Sequence, residues 1–450
     1  MKTAYKKYLV LLVIIGVAFT GCNKFLNVNT DPNDVTSANI TAPLIFTGAE
    51  VRVGNRSDGV NAAAAGTNGP LQFAYGWVGY MAYNGGFSRI QGETSYTLDN
   101  TFADPLWINY YSTLFDLYQA KEKGLQEKDT ALAGAAMVLS AKLFQQLVDL
   151  FGNIPYSQAF QSDKYSKPAY DKAQDIYQDL QLSLDTAITY LNYPANGDFI
   201  SSDVIARGNT AIWIKFANTL KLRLLIRQSE VPGFDPSAEI AKIVNNGGVL
   251  GAGQSISVNP GYVNEINKQS PFYANFGYTP LGALGSSSTN ANAYIVNILS
   301  STNDPRLAYF FAPLANSTTF LGCKYGDLPG NLPTSSASAS YFGPGIINSA
   351  TQNQWIMPSF ESMFLYAEAV ARGWFPNDHN AEADYQAAVT ESFTWLGVPN
   401  AATAAANYMA TDSIANWANA GTSAEQQAKF IVMQKYIANT CIDPLESYAD

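Results

Sequence analysis

Residues 131–155 read ALAGAAMVLSAKLFQQLVDLFGNIP, and this stretch decides the class of fold. Its large apolar side chains return to one helical face, at Met137, Phe144, Leu147, Val148 and Phe151. Such spacing is typical of an amphipathic helix that packs on its neighbours. Gly152 and Pro155 follow and end the helical pattern. The stretch therefore predicts a helix of about twenty residues that is buried along one side.

Similar patterns recur on both sides of this helix. We predict further helices over Pro105–Gly124, from the Asp171/Gln174 capping pair to Leu191, from Asn209 to Leu224, and over Pro358–Gly373, Asn380–Leu396 and Thr422–Thr440, the last opened by a Thr422/Glu425 capping box. They follow one another as pairs joined by short or moderate loops, which is the spacing of tetratricopeptide-type repeats. Strand signals are few and short, with Ser255–Val258 as an example, and the Leu307–Phe311 run reads as extended. The predicted fold is mainly α.

The domain organisation follows from where these patterns lie. A helical-pair scaffold is expected mainly over 105–230 and 358–440, and loop-rich, irregular regions over 54–104 and 251–350. We assign 42–450 to a single domain. Long loops in a compact domain are often functional, so the ligand site is expected in the irregular half.

Composition excludes several functions. The chain has 450 residues, of which 47% are hydrophobic and 14% charged, and its formal net charge is −10. This acidic balance argues against nucleic-acid binding, which needs clustered Lys and Arg. His379 is the only histidine of the chain, and a solvated loop position is expected for it. No metal or cofactor site is expected, because histidine is the commonest metal ligand and catalytic base.

The N-terminal residues MKTAYKKYLVLLVIIGVAFTGC predict export and attachment to a membrane. A basic head precedes an apolar run that is too short to span a bilayer. The run ends at Thr20-Gly21-Cys22, which resembles the lipobox of bacterial lipoproteins. We predict a lipoprotein signal peptide over 1–21, lipidation (palmitate) at Cys22 and a polar tether over 22–41. For the remaining cysteines, Cys323 and Cys441, we favour free or buried thiols over a disulfide.

Aromatic residues mark two candidate ligand-binding segments. The first, FAYGWVGYMAYNGGF over 73–87, contains four glycines, and the second is PFYANFGYTPLG over 271–282. Tyr and Trp present a flat apolar face with a polar edge, which suits stacking on sugar rings. The same residues also serve as ordinary core, and both interpretations stay open at this point. The candidate ligand contacts are Tyr75, Trp77, Tyr80, Tyr83, Phe87, Tyr96, Tyr273, Phe276 and Tyr278.

Catalytic motifs are absent from the sequence. Glu361 and Glu368 share one helical face, but the regular apolar pattern around them indicates scaffold rather than a glycosidase pair. The basic side chains Lys215, Lys221, Arg223 and Arg227 are expected to be solvated or paired internally, and Arg306 in the turn Asp304-Pro305-Arg306 to be a structural anchor. We therefore predict no catalytic residue.

Several segments together resemble one family. They are LNVNTDPND, PLWINYYSTLFDLYQAK, AKLFQQLVDLFGNIPYSQAF, KPAYDKAQDIYQDLQLSLDTAI, GNTAIWIKFANTLKLRLLIR, DPRLAYFF, ESMFLYAEAVARGW and FIVMQKYIANTCIDPLESYAD. In this order they are similar to the SusD/RagB outer-membrane lipoproteins of Bacteroidetes, especially the SusD-like branch. The segments span nearly the whole mature chain.

The resemblance implies a fold and a role. It implies a tetratricopeptide-like scaffold whose irregular half carries the ligand site, and aromatic residues from that half binding glycan. It also implies non-catalytic capture of an oligosaccharide or other nutrient at the outer membrane, with delivery to a SusC-like TonB-dependent barrel transporter. The family pattern further implies that the chain continues beyond Asp450. The alternatives are a surface glycan hydrolase or lyase, and a tetratricopeptide-type scaffold that binds peptides or proteins.

Overall fold

The computed structural model describes residues 40–59, 71–87, 91–335 and 337–450. Residues 42–450 form one unit with its own core, and residues 1–41 form a second unit, of which only Ile40 and Thr41 are described. The predicted signal peptide, the lipidation site Cys22 and nearly all of the tether lie outside the described residues.

Helices make up most of the described chain, which confirms the mainly α prediction. The described ranges contain seventeen: α1 (Ala42–Ser57), α2 (Gln72–Trp77), α3 (Gln91–Ser95), α4 (Asp104–Gln126), α5 (Thr130–Phe151), α6 (Ala173–Leu191), α7 (Gly197–Ser202), α8 (Thr210–Ile226), α9 (Ser237–Asn245), α10 (Pro271–Phe276), α11 (Ala293–Ser301), α12 (Leu307–Phe310), α13 (Ser359–Ala371), α14 (Ala381–Trp395), α15 (Ala401–Thr411), α16 (Ala424–Ala438) and α17 (Pro444–Ala449).

Six short strands form three antiparallel pairs. They are β1 (Met81–Tyr83) with β5 (Thr289–Ala291), β2 (Ile154–Pro155) with β3 (Tyr170–Asp171), and β4 (Ile256–Val258) with β6 (Gln354–Met357). The strand predicted at Ser255–Val258 is confirmed as β4. The pair β1–β5 ties the first aromatic segment to the second irregular region, with Met81 opposite Ala291 and Tyr83 opposite Thr289.

The opening stretch of sequence forms α5, which lies between α4 and α6. Within the described ranges it is the one helix long and apolar enough to cross a membrane, but most of its side chains are buried inside the protein. Its apolar character therefore reflects contacts on several sides rather than on the single side that the sequence predicted. Asp129 accepts a hydrogen bond from the Leu132 amide and caps the first turn.

Three local predictions are wrong in detail. Asp171 does not cap α6, because its carboxylate accepts hydrogen bonds from the Tyr156 and Ser157 amides instead. The capping box of α16 uses Ser423 and Gln426, one residue later than predicted. The run after Arg306 is not extended throughout, because Leu307–Phe310 forms the short helix α12.

Two basic side chains of α8, Lys221 and Arg223, enter the interior. Arg223 is buried and pairs with Glu361 of α13 and, at 3.0 Å, with Glu446 of α17. Lys221 is also buried and pairs with Asp185 and Glu239. The prediction of internal pairing is confirmed for both side chains, and the prediction that they are solvated is wrong. Each buried charge lies beside a carboxylate, which offsets the loss of hydration.

Other single-residue predictions are also resolved. Arg306 is fully buried, donates to Asp304, Ser392 and Gln434, and so is the predicted anchor. Cys323 and Cys441 are buried free thiols in the described part of the chain, as favoured. His379 lies in an exposed loop, as expected.

Candidate functional site

The first aromatic segment is built around glycines that let other chain segments approach its backbone. A Cβ at Gly76 would lie 2.5 Å from Cζ of Tyr325, and one at Gly79 would lie 2.7 Å from Cδ1 of Tyr294. Real side chains do not reach such distances, so only glycine accommodates these rings at both positions. The glycines thus receive aromatic rings from the second irregular region.

These rings border a cavity of about 820 Å³. Its walls come from α2 and the turn after it, from the residue after α3, from the start of α11, from the loop at 324–325, and from α16 and α17. The aromatic lining residues are Trp77, Tyr96, Tyr294, Tyr325 and Tyr436. A volume of this size with mainly apolar walls and a few polar groups is typical of a small-molecule site.

Trp77 is held by neighbours on several sides. Its Nε1 donates a 3.0 Å hydrogen bond to the backbone oxygen of Glu93. Its ring centroid lies 5.6 Å from that of Phe102 in a stacked arrangement and 5.3 Å from that of Tyr96. The indole is half-buried, so part of it remains open to the cavity. Its orientation is fixed before any ligand arrives.

The other cavity rings differ in exposure. Tyr96 and Tyr294 are 67% and 60% exposed, whereas Tyr325 and Tyr436 are half-buried. The Tyr436 hydroxyl donates a 2.6 Å hydrogen bond to the backbone oxygen of Val78. The cavity therefore offers both fixed ring faces and exposed rings that can adjust to a ligand.

Polar groups stand among these rings. Lys324, Lys429 and Asn297 are exposed lining residues, and Asp450 borders the cavity while paired with Lys435 at 2.8 Å. Aromatic faces with amide and ammonium donors between them can bind the apolar faces and the hydroxyls of a sugar ring.

Three of the candidate tyrosines lie beneath this surface. Tyr75, Tyr80 and Tyr83 are all buried. The Tyr75 hydroxyl donates a 2.9 Å hydrogen bond to the backbone oxygen of Asp58, and the Tyr80 hydroxyl donates a hydrogen bond to the backbone oxygen of Tyr436. Burial raises the pKa of all three phenols well above the ordinary value. These three rings therefore lie in the core, which is the second of the two interpretations that the sequence left open.

The second aromatic segment is separate from the cavity lining. Phe276 is buried against Phe272 and Phe342, and Tyr273 is half-buried. Tyr278 is 48% exposed, and Phe87 is 44% exposed. Of the nine candidate contacts, the structure brings Trp77 and Tyr96 together in this cavity.

Tyr294, Tyr325 and Tyr436 are cavity residues that the sequence did not single out. Tyr294 and Tyr325 lie within 251–350, the region already expected to carry the site, and Gly326 beside Tyr325 was an available signal of a turn. Tyr436 lies on a regular helix, where an aromatic residue gives no sign of a site.

Glu93, whose backbone oxygen accepts the Trp77 indole hydrogen bond, is half-buried. Burial raises the pKa of its carboxyl to about 7. In the described residues, Glu93 Oε2 and the Tyr83 hydroxyl are buried atoms without a hydrogen-bond partner. The Glu93 carboxylate also raises the pKa of the Tyr83 and Tyr325 phenols, which places it near them.

Other carboxylates have structural partners. Glu361 pairs with Arg223, and Glu368 pairs with Arg372 at 3.0 Å. Across the described ranges, no group of three or more His, Cys, Asp or Glu side chains is arranged to hold a metal ion.

Comparisons with known proteins agree with this architecture. Residues 67–443 match the family model SusD-like_2, described as "Starch-binding associating with outer membrane". Comparison with curated protein sequences gives no match. A chitin-binding SusD homologue from Flavobacterium johnsoniae has a similar structure, with a TM-score of 0.73 and 23% identity over 90% of this chain and 85% of its own. A SusD homologue from Bacteroides ovatus has a TM-score of 0.71 and 20% identity over 90% and 85%.

Proposed function

Because this chain belongs to the SusD/RagB family, we propose that it captures an oligosaccharide at the outer membrane and delivers it, chemically unchanged, to a SusC-like TonB-dependent transporter. The cavity formed by Trp77, Tyr96, Tyr294 and Tyr325 is the observation that carries this proposal. Stacking on these rings would supply affinity, and the polar residues between them would orient the sugar hydroxyls.

The proposed contacts fall into two groups. Trp77 and Tyr96 form the primary surface together with Tyr294 and Tyr325. The exposed Tyr278 and Phe87 and the half-buried Tyr273 would serve as further contacts for a longer glycan. The buried Tyr75, Tyr80, Tyr83 and Phe276 would support the segments that carry these contacts.

Calorimetric titration of the purified protein against glycan and peptide panels tests this proposal. Starch and chitin fragments come first, because the family model is described as starch-binding and one structural relative as chitin-binding. Trp77→Ala should lower glycan affinity about tenfold or more, which corresponds to about 1.4 kcal/mol. Tyr193→Ala is the matched control, because this exposed tyrosine does not line the cavity. Intact glycan binding in both Trp77→Ala and Tyr273→Ala would refute the platform.

The same purified protein distinguishes the alternatives. Chromatographic detection of glycan turnover would identify a hydrolase or lyase. Binding to peptides without binding to any glycan would favour a tetratricopeptide-type scaffold for protein partners.

Lipidation at Cys22, with the domain on the extracellular side, completes the proposal. Palmitate labelling of cells should be lost in Cys22→Ala, and labelling that survives this change would contradict the anchor. Protease accessibility on intact cells tests the outward orientation, and co-purification with a barrel transporter tests the partner.

A further inference from the structure

The helix α17 and the residue after it form one wall of the cavity. Ser447 and Asp450 line the cavity. The ring of Tyr448, which stands between them in the sequence, has its centroid 6.2 Å from that of Trp77. The Ser447 hydroxyl accepts a 2.8 Å hydrogen bond from Tyr80, three residues after Trp77. The position of α17 therefore decides where this wall stands and which ring flanks Trp77.

The helix α17 is too short to keep this position by its own hydrogen bonds. It has six residues, and an isolated helix of that length is not stable in water. It packs on α2, which carries Trp77, and on α5. Ion pairs made by Glu446 and Asp450 tie it to other helices. The wall of the cavity thus depends on the cations that these two carboxylates contact.

Arg227, the residue that follows the last turn of α8, contacts both ends of α17. Its Nη2 lies 2.9 Å from Glu446 Oε2, and its Nη1 pairs with Asp450. Nη2 also donates a 3.4 Å hydrogen bond to the backbone oxygen of Glu446. The Arg227 side chain is 11% exposed and does not line the cavity itself. A planar guanidinium has donors enough to hold two carboxylates at once.

The other cations at α17 hold one carboxylate each. In the described part of the chain, Arg223 lies 3.0 Å from Glu446 and Lys435 lies 2.8 Å from Asp450. The Glu446 and Asp450 side chains are nearly buried, so salt screens these pairs less than surface pairs. Loss of Arg227 would leave each carboxylate with one cation and would remove the link between the two ends of α17.

We propose that Arg227 is a positioning residue for glycan capture, which acts from outside the cavity by holding α17 against Trp77. This inference rests on the proposed glycan-binding function and adds to it the side chain that assembles the site. With Arg227 in place, the ligand meets Ser447, Asp450 and Trp77 already in position. Without it, the apparent dissociation constant rises by the inverse of the fraction of molecules in which α17 is docked.

Calorimetry with maltohexaose and chitohexaose as probes measures this effect. Arg227→Met should weaken binding of whichever probe the parent protein binds about tenfold, the result when about one molecule in ten keeps α17 docked. Arg227→Lys should weaken it less, because lysine keeps the charge but lacks the fork that meets both carboxylates.

Lys221→Met is the matched control for both variants. Lys221 is a buried cation of the same helix, but it pairs with Asp185 and Glu239, neither of which lines the cavity. This substitution also removes buried ion pairs and should destabilise the protein. It should leave the affinity for the hexasaccharide unchanged, because α17 keeps all its contacts.

Hydrogen exchange read by mass spectrometry tests the same proposal without a ligand. Arg227→Met should speed exchange in residues 443–450 and in α2, whereas Lys221→Met should not. Saturation with the hexasaccharide that binds should restore protection of both segments in Arg227→Met, because the ligand favours the docked state of α17. A residue that only stabilised the fold would change exchange throughout the domain, and the ligand would not restore these segments selectively.

The outcomes separate this inference from the proposed function. Binding by Arg227→Met as tight as by the parent, or a loss no larger than in Lys221→Met, would overturn the role of Arg227. Unchanged exchange in 443–450 would overturn it as well. If Arg227→Met does not fold, Arg227→Lys carries the same comparisons. A parent protein that binds no glycan would count against the proposed function, and the exchange comparison would still decide whether Arg227 holds α17 against Trp77.

Discussion

Gly76→Ala tests whether the close contact between the two irregular regions builds the cavity. The new methyl group would lie 2.5 Å from Cζ and 2.9 Å from the hydroxyl oxygen of Tyr325. Overpacking of this kind costs about 1–3 kcal/mol, and the better helix propensity of alanine returns at most about 1 kcal/mol. We expect a net loss of about 1–2 kcal/mol in the free energy of unfolding. Glycan affinity should also fall, because the Tyr325 ring must leave its position.

Gly48→Ala is the control for this prediction. Gly48 lies inside α1, and a Cβ there would meet nothing within 4 Å. Alanine should therefore stabilise the protein by about 0.5–1 kcal/mol at this position. Urea denaturation of both variants gives the comparison. If Gly76→Ala and Gly48→Ala differ by less than about 0.5 kcal/mol, the packing argument fails. Adding Tyr325→Ala to Gly76→Ala should remove most of the steric cost, and an additive double mutant would also refute the reasoning.

Three further predictions concern charge and capping. Burial raises the folded-state pKa of Glu93 to about 7, so the free energy of unfolding should fall as pH rises from about 4.5 to 7. Urea denaturation at pH 5 and pH 8 should show a smaller fall for Glu93→Gln than for the parent protein. Arg223→Met should cost about 3–5 kcal/mol by chemical denaturation, because it leaves the buried Glu361 without its ion-pair partner and removes one of the two arginines that pair with Glu446. Arg52→Met at a surface pair should cost less than about 1 kcal/mol, and similar losses in the two variants would contradict the buried network. Ser423→Ala should lower the free energy of unfolding by about 1 kcal/mol in thermal denaturation, because the cap of α16 is lost, and Thr422→Ala should change it little. A larger loss in Thr422→Ala than in Ser423→Ala would support the cap predicted from the sequence.

The scaffold could be predicted from the sequence because its helices are amphipathic. Apolar spacing located α5 and α8 to within a few residues, and Asn209 caps α8 as its position suggested. The caps of α6 and α16 were misplaced because Asp171 and Thr422 have the right side chains at the right offset. Whether Asp171 caps a helix depends on the Tyr156 and Ser157 amides, which only the folded chain brings to it.

The candidate site could be predicted only in part, because core packing and sugar binding use the same aromatic residues. Tyr80 and Trp77 are three residues apart and looked equivalent. Tyr80 is buried because its hydroxyl reaches the backbone oxygen of Tyr436 and the hydroxyl of Ser447, partners more than 350 residues away in the sequence. No local sequence pattern indicates such a distant partner. For the same reason, the sequence around Tyr436 gives no sign that this residue lines the cavity.

The position of Trp77 shows how one segment can pack into the core and also present a ring to the cavity. Tyr75 and Tyr80 belong to one hydrophobic cluster, whereas Phe73 and Ala74 belong to the other, and Trp77 packs partly against the latter. The segment thus crosses from one cluster to the other, and part of the indole stays uncovered at the cavity. A ring whose edge is already packed and hydrogen-bonded loses little conformational entropy when a ligand stacks on its free face. Under the proposed function, the buried tyrosines would contribute to binding without touching the ligand, since they fix the segment that presents Trp77.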